Sequence, residues 1–180
     1  MLICTVCGKE SNEGDLLWRC SCGGSLSPVF EGAEPLNRYR VDPSEPGMWR
    51  YASSLPPGPG FERITMGEGW TPLVRQNWGG TEVYLKLDYT CPTGSYKDRG
   101  MAYLVSIIHG LGVREVIEDS SGNAGASMAA YCARAGIRCR VFVPEYTSGG
   151  KCVQITSSGA ELVRIPGTRE DTTRAAENAA

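Results

Sequence analysis

From about residue 67 onward the apolar positions of the chain fall into short blocks whose period alternates between two and about 3.6 residues. Val83, Leu85 and Leu87 alternate with polar neighbours, which predicts a strand over Glu82–Leu87. Met101, Leu104, Val105 and Ile108 stand at helical spacing and predict a helix over 96–110. Val113–Ile117 is a short apolar strand, and Ala124–Ala135 is an Ala-rich helix stopped by Gly136. Ile137–Val143 is β-branched and ends at Pro144, Lys151–Ser158 is helical up to Gly159, Glu161–Ile165 is a strand closed by Pro166-Gly167, and a helix starts at Glu170 and runs to Ala180. Strands and helices in strict alternation predict an α/β fold with a parallel sheet.

The first 66 residues lack this rhythm. Residues 1–30 carry four cysteines among glycines, and residues 31–66 hold Pro35, Pro43, Pro46, Pro56, Pro57 and Pro59. That composition predicts a connector with one short helix near Trp49–Leu55. The expected organisation is a cysteine-rich segment over 1–30, a Pro-rich connector over 31–66 and an α/β domain over 67–180.

Composition narrows the function classes. The 180 residues are 41% hydrophobic and 21% charged, as in ordinary globular domains. Lys plus Arg total 18 against 20 Asp plus Glu, so no nucleic-acid partner is expected. No apolar run approaches the roughly 20 residues of a membrane helix, and no membrane partner is expected. MLICTVCGKE has no basic region followed by an apolar core, so it does not read as a signal peptide, and a cytoplasmic location is expected. In a reducing compartment closely spaced cysteines point to metal rather than to disulfides.

Cys4-x-x-Cys7 and Cys20-x-Cys22-Gly23-Gly24 form two knuckles with 12 residues between them. Four thiolates so placed can close a tetrahedral structural zinc site and staple a segment too short to bury a core. Lys9 and Arg19 against Glu10, Glu13 and Asp15 leave the segment at a net −1, which favours a structural ribbon over a nucleic-acid-binding one. Cys91, Cys132, Cys139 and Cys152 are scattered and are expected at or near the core.

Two motifs carry chemistry. In Cys91-Pro-Thr-Gly-Ser-Tyr-Lys-Asp-Arg-Gly100, Ser95 and Asp98 have capping-box spacing, which makes Ser95 the N-cap and puts Lys97 in the first helical turn. The helix field there opposes an ammonium and favours the neutral amine that imine chemistry requires. A solvated lysine paired with Asp98 is the plain alternative. The second motif, Ser120-Ser-Gly-Asn-Ala-Gly-Ala-Ser127, is a strand–glycine turn–helix unit suited to a small carboxylate or phosphate. It is not G-x-G-x-x-G, so no dinucleotide site is indicated. His109 is the only histidine and stands on a helix without a nucleophile motif, which argues against a hydrolase.

In combination and order these motifs resemble the pyridoxal-phosphate (PLP) enzymes of the tryptophan-synthase-β fold, fold type II, and within them threonine synthase and its relatives. Trp49-Arg50-Tyr51, Leu55-Pro56, Gly67-Glu68-Gly69-Trp70-Thr71-Pro72-Leu73 and the N-terminal cysteine ribbon strengthen the resemblance, which extends from Cys4 onward. It implies that Lys97 is the catalytic lysine that binds the cofactor. It implies that Asn123, 26 residues later, touches the cofactor ring oxygen, and that Ser121, Gly122, Asn123 and Ala124 hold the carboxylate of an amino-acid substrate. The implied reaction is conversion of O-phosphohomoserine and water to threonine and phosphate. Cysteate synthase-like or dehydratase chemistry on the same cofactor is the alternative within the fold, and an inactive zinc-ribbon binding module the alternative outside it. Family members continue well past this length and hold the cofactor phosphate in their second half. The resemblance therefore implies an incomplete fold type II domain, here its N-terminal part, and a homodimer at full length.

Overall fold

The structure, a computed structural model, describes residues 1–15, 17, 19–29, 35–55 and 61–180. Pro56–Gly60, with three of the connector's prolines, lie outside the described residues, as do 30–34. The chain forms two compact units, Met1–Asp42 with Tyr51–Pro56, and Pro43–Arg50 with Pro57–Ala180.

In the first unit, β1 (Leu2–Cys4), β2 (Glu10–Ser11) and β3 (Leu26–Pro28) form an antiparallel sheet in the order β2-β1-β3. Three strands of two or three residues cannot cover a core of their own, and among the described residues of this unit the side chains that turn inward are Cys4 and Cys20. The short helix expected near Trp49–Leu55 is a 3-10 helix over Gly47–Ser54, whose residues 47–50 belong to the second unit.

In the second unit, β4 (Leu73–Trp78) and β5 (Thr81–Lys86) pair antiparallel, with Trp78 opposite Thr81. The alternation over Glu82–Leu87 thus marks a strand, but one that stands outside the parallel sheet. Gly79 and Gly80 have φ of 58° and 87°, the left-handed pair that a two-residue hairpin turn requires, and that turn supplies an antiparallel partner at once. Period 2 specifies a strand and leaves its partner open; the Gly-Gly pair decides it.

The rest follows the predicted alternation: α1 (Lys97–Gly110), β6 (Glu115–Glu118), α2 (Asn123–Ala135), β7 (Arg138–Pro144), α3 (Gly149–Ser157), β8 (Glu161–Ile165) and α4 (Arg169–Ala179). The three strands are parallel in the order β6-β7-β8. Central β7 is buried along most of its length, with Val141 and Val143 in the core, and packs against α2, whose Ala126, Ala129, Tyr131 and Cys132 are also buried. Cys91, Cys132, Cys139 and Cys152 are all buried, as their scatter predicts. No helix among the described residues is long and apolar enough to cross a membrane.

A buried carboxylate ties the approach segment to this core. Glu68 is fully buried and accepts hydrogen bonds from Trp49 Nε1 (2.8 Å), Thr65 Oγ1 (3.0 Å), the Met66 N–H (2.9 Å) and Tyr131 Oη (2.6 Å). Burial and the Glu68 charge push the Tyr131 phenol up, so it stays a donor. Tyr131→Phe is expected to lower unfolding stability by about 1–3 kcal/mol, read as a lower denaturant midpoint at constant slope.

Candidate active site

Lys97 is the first residue of α1 and is half-buried. The start of the helix differs from the capping box expected of Ser95 and Asp98. Ser95 does receive the Lys97 N–H on its hydroxyl (3.3 Å), yet the residue at the N-cap is Tyr96, which makes no side-chain cap. The Asp98 carboxylate turns away from the helix start. Fully buried, it accepts the Thr93 N–H (2.7 Å), the Thr93 hydroxyl and Ser127 Oγ (2.6 Å). Stronger donors on a neighbouring helix and on the preceding loop outcompete the local cap.

The bond to Ser127 is what brings the two motifs together. Ser127 lies one turn into α2, four residues after Asn123, so the residue next to Lys97 is fixed to the helix that Asn123 begins. The field of Lys97 is felt at the end of β6. Burial raises the Glu118 carboxyl above its ordinary range and Asp119 adds to this, while Arg169, the Ser120 N–H and Lys97 oppose it. The Lys97 ammonium also lies over the Tyr96 ring, 4.9 Å from its centre.

The turn between β6 and α2 holds Ser121 and Ala124 half-buried and Gly122 and Asn123 exposed. No side chain caps α2. Its first turn stands so close to the preceding strand end that a Cβ at Gly125 would fall 1.9 Å from the Ser120 carbonyl oxygen. Beside the turn a cavity of about 460 Å³ is lined by Ser120, Ser121, Pro144, Tyr146, Thr147, Ser148 and Arg169. It opens at the carboxyl ends of β6 and β7, the edge of a parallel sheet where ligands commonly bind.

A second brace holds the other side of α1. Arg99 grips Asp88 with both terminal nitrogens (3.1 and 2.8 Å), and Thr71 donates to the same carboxylate (2.9 Å). The Arg99 bond holds the Asp88 carboxyl below its usual range. Thr71, Asp88 and Arg99 were not singled out by spacing. The buried pair Asp98 and Ser127 was inside both motifs, but contacts 29 residues apart leave no periodic trace. His109 is on α1 with its Nδ1 4.0 Å from Glu62.

A family profile described as "Pyridoxal-phosphate dependent enzyme" matches residues 64–180. The chain belongs to that family. Members similar in sequence include a threonine synthase of Methanocaldococcus jannaschii, 36% identical over 93% of this chain and 44% of that protein. Another, of Halalkalibacterium halodurans, is 42% identical over 67% of this chain and 37% of that protein. The chain thus spans less than half the length of these curated relatives. Among solved members of the fold, a hydrogen sulfide-producing enzyme from Fusobacterium nucleatum superposes at a TM-score of 0.57 with 27% identity, over 62% of this chain and 39% of that one. An O-ureido-L-serine synthase superposes at 0.52 with 29% identity, over 61% and 38%.

In the first unit, the sulfurs of Cys4, Cys7, Cys20 and Cys22 all lie within 4.8 Å of one another. Cys4 and Cys22 are 3.5 Å apart and Cys7 and Cys20 3.7 Å, close to the edge of about 3.8 Å in a tetrahedron with ~2.3 Å zinc–sulfur bonds. The N–H groups of Cys7 and Val6 lower the Cys4 thiol to about 6. Cys22 receives the Gly24 N–H, which lowers it, yet the crowd of Cys7, Cys4 and Cys20 pushes it up to about 12. Four sulfurs that compete for protons at this spacing suit a divalent soft-ligand metal.

Proposed function

We propose that the protein is a threonine synthase-like lyase that converts O-phosphohomoserine and water to threonine and phosphate. The observation that supports it is the Asp98–Ser127 bond, which sets the Lys97 amine and the Ser121–Ala124 turn on two helix starts fixed to each other. The residues present fit pyridoxal phosphate. Lys97 would hold its aldehyde carbon, and the Asn123 amide would orient its ring. When bound, the cofactor supplies the electron sink for a carbanion at the substrate Cα. Ser121 Oγ and the N–H groups of Asn123 and Ala124 bind and orient the substrate carboxylate, and Gly122, whose own N–H donates to Ser120 Oγ (3.3 Å), lets the carboxylate approach the backbone. Lys97, at the half-buried start of α1, moves the proton at Cα. Mixing the protein with the cofactor and O-phosphohomoserine should release phosphate and threonine in equal amounts. Incorporation of added sulfite, or keto-acid release, in place of threonine would transfer the assignment to a β-replacing enzyme or a dehydratase.

We infer further that Cys4, Cys7, Cys20 and Cys22 hold one structural zinc ion. The purified protein is expected to carry about one zinc per chain by elemental analysis. Cys22→Ser should reduce that content several-fold and leave the melting of the α/β unit in place. Full zinc retention in the serine variant would remove Cys22 from the ligand set.

A further inference from the structure

We propose that Arg169 is a positioning residue for the substrate-binding turn, acting through Asp119; this rests on the function proposed above. Asp119 is the residue between the end of β6 and the Ser120–Ala124 turn. Its carboxylate is held from α4 by Arg169 Nη2 at 2.8 Å and by Thr173 Oγ1 at 2.8 Å, and Arg169 Nη1 donates to its carbonyl oxygen. The guanidinium therefore fixes both the side chain and the backbone of the residue that launches the turn.

The alternative reading is an ordinary surface ion pair, since both side chains are partly exposed. Three features argue for a positioning role. First, α4 does not need Arg169 to start: Thr168 and Asp171 form a complete capping box, with Thr168 N–H to Asp171 Oδ2 at 2.8 Å and Asp171 N–H to Thr168 Oγ1 at 3.2 Å. Second, the turn is already pinned on its helix side, where Gly125 meets the Ser120 carbonyl, so Asp119 is the other end of a five-residue span. A span fixed at one end only can swing; fixed at both it keeps its N–H groups aimed. Third, Arg169 lines the same cavity as Ser120 and Ser121, so the clamp faces the space that a substrate would fill.

An exposed ion pair contributes little to global stability, whereas misplacing a carboxylate site weakens binding of the substrate far more. The two readings thus separate in one set of measurements. In Arg169→Ala, the melting temperature should remain within a few degrees of wild type, while amide hydrogen exchange across residues 120–126 speeds up about tenfold or more. With cofactor bound, KM for the amino-acid substrate should rise about tenfold or more, kcat should change much less, and the visible spectrum of the bound cofactor should persist. Arg169→Lys should recover part of the effect, because an ammonium restores the charge but reaches only one of the two oxygens. Should Arg169→Ala prove unfolded, Thr173→Val removes a neutral hold on the same carboxylate and should shift exchange and KM the same way, by less.

Unchanged exchange over residues 120–126 together with unchanged KM would overturn the proposal. So would a uniform rise in exchange over the whole unit, which marks a structural role. A wild-type protein that never takes up the cofactor would count against the proposed function alone, because the exchange measurement on the cofactor-free protein still judges the clamp.

Discussion

Lys97→Ala is expected to abolish the visible absorbance that the protein acquires with pyridoxal phosphate, and with it all turnover. Lys86 is the neighbouring lysine along the chain, and its ammonium is spent on the Thr71 carbonyl. Lys97 is held at the head of α1, half-buried, next to Asp98, which Thr93 and Ser127 lock into the core. The loss should be close to complete, on the order of 10³-fold or more in kcat, because nucleophile and proton carrier disappear together. Thermal stability should barely move, since the side chain lies over the exposed Tyr96 ring and its charge is the weakest of the influences on Glu118. A visible band of normal intensity in the variant would reassign the lysine and dismantle the proposed function.

Asp98→Ala is expected to have the largest effect on stability. The carboxylate is fully buried and receives three hydrogen bonds, two from Thr93 and one from Ser127. Truncation leaves those donors buried without an acceptor and opens a small void, a combination that costs about 3–5 kcal/mol. The denaturant midpoint should fall accordingly. Asp98→Asn keeps one acceptor oxygen and the volume but turns an N–H pair toward existing donors, so it should lose a smaller part. The functional consequence reaches further than the stability change. Without the link to Ser127 the starts of α1 and α2 are no longer fixed to each other, so any folded Asp98→Ala protein should bind the cofactor weakly. Retention of wild-type stability would show that the Thr93 and Ser127 hydroxyls find other acceptors.

Most of the α/β unit was legible because each element declares itself locally. Helix 96–110 and strand 161–165 follow from apolar spacing, and the end of α2 from Gly136, which adopts φ of 68°. The hairpin was half legible: Val83 and Leu85 announce β5, but its partner β4 carries Arg75, Gln76 and Asn77 and lacks an apolar alternation of its own. Its signal lay in the Gly79-Gly80 pair. The candidate site was legible where chemistry is written as a contiguous run, as around Lys97 and Asn123. It was illegible where function depends on pairs remote in sequence, such as Glu68 with Tyr131 or Asp119 with Arg169, because side-chain hydrogen bonds impose no period on the residues between. The capping-box reading of Ser95 failed for the same reason. A local rule had no knowledge of Ser127, which draws Asp98 inward.

The approach of α2 to the Ser120 carbonyl has an evolutionary corollary. Position 125 has room for a hydrogen atom and nothing larger, since even a methyl group would sit 1.9 Å from that oxygen. Neutral drift is therefore closed there: a lineage could leave glycine only by rebuilding the bend beside it in the same step. Descendants that adapt this scaffold to other substrates would be expected to vary the cavity walls at Tyr146 or Thr147 and to carry the glycine along unchanged.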